Sequence, residues 1–130
     1  MDKNIKFFEQ NKSVSPKNSI VMIEKISHYN TVYKKQVSLD NYFKDLDVVP
    51  NVIKIDVEGA EVLVMKGAKK LITKSKPKIY LSIHPGRINQ LGQSIEELLE
   101  LINNLNYNIF DISMNRPKSI NLDEYILIPK

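Results

Sequence analysis

Two carboxylates and one histidine stand at the ends of two apolar stretches of this chain. Asp56 and Glu58 close a β-branched run over residues 52–57, and His84 closes a second run over residues 79–83. Neighbouring carboxylates can orient a substrate hydroxyl, abstract its proton or bind a divalent cation, and an imidazole can serve as base or ligand. Because side chains alternate along a strand, Asp56 and Glu58 are predicted to share one face.

A structural role is the alternative for each of these side chains. Asp56 could pair with Lys54 or cap the following helix, and Glu58 could simply lie near the positive end of that helix. A lone histidine such as His84 is usually structural or solvated. Lys54 lies in an apolar run and therefore needs a partner, for which Asp56 or Glu61 is predicted. Position alone leaves both interpretations open.

Two βα units are predicted to place the two apolar runs side by side. Residues 52–57 have the composition of a central strand that is covered on both faces, and Gly59 lets the chain turn into a helix that ends near Lys74. Residues 79–83 form the next strand, followed by a turn at Pro85. Such crossovers make the two strands adjacent and parallel, so that Asp56 and His84 meet at one edge of the sheet.

The remaining elements are predicted from caps and periodicity. Ser38 caps a short helix, and Ser94 begins a capping box for a helix to about residue 106. Strands at 109–114 and 125–128 are joined without a helical pattern, which favours an antiparallel pair. Near the amino terminus, residues 20–26 and 31–37 are predicted to form a hairpin, and residues 1–19 a weakly ordered lead-in.

Composition excludes several classes of function. The net charge of +4 comes from dispersed lysines and only two arginines, so no nucleic-acid partner is predicted. The chain has no cysteine, which fits a cytoplasmic setting and excludes disulfides and thiolate metal sites. No run of about 18 apolar residues occurs, so neither a membrane span nor a secretory leader is predicted.

Three segments together resemble the FkbM family of S-adenosylmethionine-dependent methyltransferases. They are VSLDNY at 37–42, VIKIDVEGAE followed by VLVMKGA at 52–68, and PKIYLSIHP at 77–85. They occur in the family's order and cover roughly residues 30–130. Ser82 departs from the pattern, since many members carry glutamate there. The resemblance favours a site role for the strand ends, and we predict Asp56, Glu58 and His84 as catalytic residues, with no metal site assigned.

The resemblance implies a fold and a reaction. The fold is α/β: the carboxyl-terminal half of a class I, Rossmann-like methyltransferase sheet, mixed with a final antiparallel strand pair. The reaction is methyl transfer from S-adenosylmethionine to a hydroxyl of a small-molecule or glycan substrate. Residues 20–130 would form a partial FkbM-type domain, because the glycine-rich loop and the ribose-binding acid of the cofactor site have no counterpart here, the glycines being Gly59, Gly67, Gly86 and Gly92.

The missing elements lead to two expectations. The chain alone is expected not to be an active methyltransferase, and a dimer or a separate amino-terminal half is expected to pair with the open edge of the strand at 52–57, unless the hairpin at 20–37 covers it. The alternative is a non-catalytic remnant or interaction module that has kept the half-fold.

Overall fold

The computed structural model describes residues 3–10, 20 and 29–130. The elements in these residues are, in chain order, β1 (Lys3–Gln10), β2 (Tyr29–Gln36), α1 (Leu39–Phe43), β3 (Val52–Ile55), α2 (Glu61–Gly67), α3 (Lys69–Ser75), β4 (Lys78–Ile83), α4 (Pro85–Gln90), α5 (Ile95–Asn104), β5 (Tyr107–Asp111) and β6 (Asp123–Pro129). Within this part of the chain, no helix is long and apolar enough to cross a membrane.

The main sheet has four strands in the order β3-β4-β6-β5. β3 and β4 are parallel, with Ile53 opposite Ile79. β6 lies between β4 and β5 and runs antiparallel to both. The predicted adjacency of the two parallel strands and the predicted antiparallel last pair are therefore confirmed. The result is a mixed α/β fold.

β4, rather than β3, is the central strand of this sheet. Because β4 is hydrogen-bonded on both edges and covered by helices, its Ile79, Leu81 and Ile83 are fully buried. The prediction that residues 52–57 form a central strand covered on both faces was wrong. Among the described residues β3 is an edge strand, its Val52 is exposed, and it ends at Ile55.

The helix predicted from residue 61 to about 74 is two helices, α2 and α3. The break falls at Ala68, whose carbonyl already accepts the N–H of Ile72 in α3. The free N–H groups in the first turn of α3 are taken by Asp40 of α1, whose carboxylate accepts from Lys70 at 3.1 Å and Leu71 at 2.8 Å. A side chain distant in sequence therefore caps α3, which periodicity could not indicate.

The predicted N-caps of α1 and α5 are confirmed, but the capping box of α5 is incomplete, because the Glu97 side chain pairs with Lys66. One helix was also missed. Ser38 accepts the N–H of Asn41, and Ser94 accepts that of Glu97. Where a turn was predicted at Pro85, the chain forms α4, with the proline in its first turn, where the missing N–H costs nothing.

β5 ends earlier than the predicted strand at 109–114. The Asp111 carboxylate accepts the N–H groups of Ser113 and Asn115, both at 2.9 Å. These bonds hold a local turn, which prevents the strand from continuing.

β1 and β2 form a separate two-stranded antiparallel sheet. β2 lies where a strand was predicted, and in the part of the chain that the structure describes it pairs with β1, which falls within the segment predicted as a lead-in. Phe8 of β1 is buried, and Lys34 pairs with Glu9 at 3.2 Å. The other predicted hairpin strand, at 20–26, lies almost entirely outside the described residues.

The Tyr107 hydroxyl should ionise later than a tyrosine in water. Its hydroxyl is buried and donates to the Pro77 carbonyl at 2.8 Å, and burial raises the pKa of Tyr107 to about 12. Since this pKa lies above the usual value, the stability that the neutral phenol provides is complete below about pH 10 and is lost as the pH rises through about 12. Absorbance titration should show a late tyrosine ionisation that Tyr107→Phe abolishes. A wild-type curve without this late phase would contradict the prediction.

Candidate functional site

The turn between β3 and α2 brings Asp56 and Glu58 together. It does so through its own backbone conformation and not through the strand alternation that was predicted. The strand ends at Ile55, and Glu58 and Gly59 then adopt positive φ of 54° and 108°. Two consecutive left-handed residues reverse the chain direction and deliver it to the start of α2. The predicted alternation past residue 55 was therefore wrong, although it correctly grouped Asp56 with Glu58.

Gly59 also sets the distance between this turn and α4. A Cβ atom at this position would lie 2.6 Å from the Arg87 Cβ and 2.9 Å from the Arg87 backbone carbon. Only a residue without a side chain allows this approach. Consequently the turn after β3 and the first turn of α4, which follows His84, are packed directly against each other.

Glu61 is the buried centre of the site. Its side chain is fully buried, its Oε1 accepts the Gly59 N–H at 3.1 Å, and the same oxygen lies 2.7 Å from the His84 Nδ1. Because a carboxylate only accepts, the proton of neutral His84 resides on Nδ1 and its Nε2 carries a free lone pair. From the sequence, Glu61 was considered as a possible partner of Lys54 and not of His84. The sequence did contain a signal for this role: Glu61 begins a helix, and the strand predicted beside it ends at His84.

The His84 Nε2 faces the two predicted acids. It lies 3.3 Å from the Glu58 Oε2 and 3.9 Å from the Asp56 Oδ1. Arg87 forms an ion pair with the same Glu58 oxygen, Oε2. One potential ligand atom from each of Asp56, Glu58 and His84 lies within 4.8 Å of the others. The structure thus brings the three predicted site residues into one cluster, which we call the strand-end cluster.

Lys54 does not belong to the strand-end cluster. Its Nζ donates to the Glu124 Oε1 at 2.6 Å and to the Ser82 Oγ at 3.1 Å. The hydrogen bond and the positive charge of Lys54 hold the pKa of the Glu124 carboxyl below its usual range. The predicted pairing of Lys54 with Asp56 or Glu61 was wrong, because β6 lies beside β4 and offers a closer carboxylate. The side chain is also half exposed, so its charge is not buried.

A cavity of about 650 Å³ opens beside the strand-end cluster. It lies between the β1–β2 sheet and the turn after β3, and its lining is mostly apolar: Ile5, Phe7, Ile20, Lys35, Gln36, Val37, Asp56, Val57, Glu58, Ala60 and Val64. Asp56 is the most exposed member of the cluster, with 48% of its side chain accessible. A molecule in this cavity would therefore contact Asp56 and Glu58, which both line it.

A smaller cavity lies on the α4 side of the same cluster. Its volume is about 230 Å³, and its lining includes His84, Arg87 and Gln90. The cluster therefore separates a large, mostly apolar space from a small one that is lined by a histidine and an arginine.

Comparison with protein-family models gives a match to a methyltransferase family. The model of the methyltransferase FkbM domain matches residues 3–109, which begins closer to the amino terminus than the expected residue 30 and ends before β6. Neither the curated proteins nor the solved structures gave a match. The matched range includes β1, β2, the turn after β3 and every residue of the strand-end cluster. The chain belongs to the FkbM methyltransferase family.

Proposed function

We propose that this chain takes part in methyl transfer from S-adenosylmethionine to a hydroxyl oxygen of a small-molecule or glycan acceptor. The observation that carries the proposal is the position of the strand-end cluster at the mouth of the 650 Å³ cavity, in a chain of the FkbM family. Carboxylates and an imidazole at the end of a parallel strand can bind a hydroxyl and receive its proton. An oxygen acceptor fits these groups.

The cavity suits the cofactor in size and chemistry. Its volume lies within the range of about 300–1,000 Å³ that small-molecule sites occupy. Phe7, Val37 and Val57 would contact an adenine ring, and Asp56 and Glu58 would accept hydrogen bonds from hydroxyl or ammonium groups. When bound, S-adenosylmethionine supplies an electrophilic methyl group.

The residues of the strand-end cluster have different roles in binding the acceptor hydroxyl and taking up its proton. Asp56 is half exposed and borders the cavity, so it binds the acceptor hydroxyl and takes up its proton. Glu58 is held by Arg87, and His84 is held by the buried Glu61. Because their partners fix these side chains, the hydroxyl meets a preformed set of acceptors and little ordering is needed at the moment of reaction.

A non-catalytic interaction module is the second candidate. The observation that favours it is the absence of any Gly-x-Gly among the four glycines of the sequence, so the methionine end of the cofactor lacks its usual loop. On this account turnover by the chain alone is expected to be slow. A second copy, or a complementing amino-terminal half, would then pair with the outer edge of β3, which is unpaired among the described strands.

Calorimetry with S-adenosylmethionine separates the two candidates. Micromolar binding by the chain supports methyl transfer, and no binding at millimolar concentration supports the interaction module. Where turnover is seen with a panel of sugars and small alcohols, Asp56→Asn should lower the rate about 100-fold, since loss of a proton acceptor has effects of that size. The matched control is Asp47→Asn, an exposed carboxylate outside the cluster. Equal rates for the two variants would exclude Asp56 as the base.

A further inference from the structure

We propose that Asp56, Glu58 and His84 bind a divalent cation of the Mn²⁺ or Zn²⁺ class. The cluster combines two carboxylates with one imidazole. Imidazole suits first-row transition metals, and carboxylates suit harder cations such as Mn²⁺, so a mixed set favours Mn²⁺ and Zn²⁺ over Mg²⁺ or Ca²⁺. The proposal extends the proposed function, on which its catalytic meaning rests, but the binding itself can be measured separately.

The geometry is close to that of a formed site. The His84 Nε2 lies 3.3 Å from the Glu58 Oε2 and 3.9 Å from the Asp56 Oδ1. Ligand atoms about 2.0–2.2 Å from one metal ion lie roughly 3 Å apart, so a small movement of Asp56 would complete the set. Asp56 is the half-exposed member, and it is therefore the one that can move.

Glu61 prepares His84 as a ligand. The buried carboxylate accepts the His84 Nδ1 proton at 2.7 Å, which leaves the Nε2 lone pair directed at Glu58 and Asp56. A carboxylate on the far nitrogen is the arrangement that orients metal-binding histidines and raises their basicity. The cluster is thus more than a group of acids, because its histidine has a fixed orientation and tautomer.

The excess of carboxylates in and around the strand-end cluster also favours the binding of a cation. Among the described residues, three carboxylates, those of Asp56, Glu58 and Glu61, lie around the His84 imidazole and the Arg87 guanidinium. Carboxylates are therefore in excess. The Glu61 Oε2 is fully buried and has no hydrogen-bond partner among the described residues. Buried charge is costly unless it is paired, and a divalent ion at Asp56 and His84 would balance the excess.

The site would leave coordination positions open toward the cavity. The protein supplies three ligand atoms, and Zn²⁺ and Mn²⁺ accept four to about six. Because Asp56 borders the 650 Å³ cavity, an acceptor hydroxyl bound beside the cofactor would lie next to these positions. A hydroxyl that reaches the cation becomes more acidic, and the second oxygen of Asp56 remains to take up its proton.

Titration with Mn²⁺ and Zn²⁺, followed by calorimetry and by electron paramagnetic resonance for Mn²⁺, tests the proposal. We expect one ion bound per chain and at least a tenfold weaker affinity in Asp56→Asn, whose exposed position keeps it folded. His84→Gln, checked for folding by circular dichroism, should weaken binding similarly. Asp47→Asn, a carboxylate remote from the cluster, should bind as the wild type does.

Two results would overturn the proposal. One is the absence of any bound Mn²⁺ or Zn²⁺ in the wild-type chain, and the other is equal affinity in the wild type and Asp56→Asn. Failure here is distinguishable from failure of the methyltransferase proposal. Binding of S-adenosylmethionine without the metal would leave the family reaction intact, and binding of the metal without S-adenosylmethionine would leave the metal site intact.

Discussion

Replacing Gly59 by alanine is expected to lower the free energy of unfolding by roughly 2–6 kcal/mol. Two costs add. A non-glycine residue at φ 108° is strained by about 1–3 kcal/mol, and the new methyl group overlaps the Arg87 Cβ and backbone, with overpacking costs of a further 1–3 kcal/mol. Urea unfolding followed by circular dichroism measures the change. The site should also open, because the overlap pushes α4 away from the turn after β3.

Two other glycines serve as controls that separate strain from overlap. At Gly92, with φ 73°, a new methyl group meets nothing within 4 Å, so its replacement by alanine reports strain alone, about 1 kcal/mol. Gly86 lies in α4 with open space around it, and alanine there should be neutral or stabilising by up to about 1 kcal/mol. If Gly59→Ala and Gly92→Ala cost the same, the close contact with α4 contributes nothing.

The sheet was predictable because local patterns determine its parallel pair. The apolar runs at 52–57 and 79–83, each followed by a turn and a helical pattern, allow few arrangements other than neighbouring parallel strands. That adjacency brings Asp56 and His84 to the same edge, so the membership of the strand-end cluster could also be predicted. The exposure of β3 could not be predicted, because central strands and edge strands can have the same apolar sequence pattern.

The turn after β3 and the role of Glu61 were beyond sequence reasoning for a different reason. The left-handed conformation of Glu58 depends on Gly59 packing against α4, and α4 itself was predicted as a turn. Glu61 becomes a partner of His84 only when α2 starts at a certain point beside β4. Both features follow from tertiary contacts, whereas caps and periodicity report neighbours within a few residues.

Removal of the Glu61 carboxylate is expected to have the second large effect on stability. Glu61→Ala leaves the buried Gly59 N–H and the His84 Nδ1 without their common acceptor, and it leaves a cavity in a fully buried position. Each unsatisfied buried group costs about 1–3 kcal/mol, so the expected total is roughly 3–5 kcal/mol. Urea unfolding measures this loss. The matched control is Glu97→Ala, another first-turn glutamate, whose ion pair with Lys66 is partly exposed and contributes no more than about 1 kcal/mol.

Glu61→Gln distinguishes a positioning role from a purely structural one. Glutamine keeps the size of the side chain and an oxygen for the Gly59 N–H, so the expected stability loss is smaller, about 1–2 kcal/mol. The Gly59 N–H and the His84 Nδ1 meet the same oxygen, Oε1, and a neutral amide oxygen there is a weaker acceptor than a carboxylate, so the His84 proton is held less firmly on Nδ1. Nitrogen NMR of the imidazole should show the Nδ1–H form in the wild type and a shift toward the Nε2–H form in the variant.

Since Nε2 is the atom that faces Asp56 and Glu58, the same substitution should weaken Mn²⁺ binding about 10- to 100-fold. An unchanged tautomer together with unchanged Mn²⁺ affinity would show that Glu61 supports only the fold, and that the orientation of His84 is set by its packing between β4 and α4.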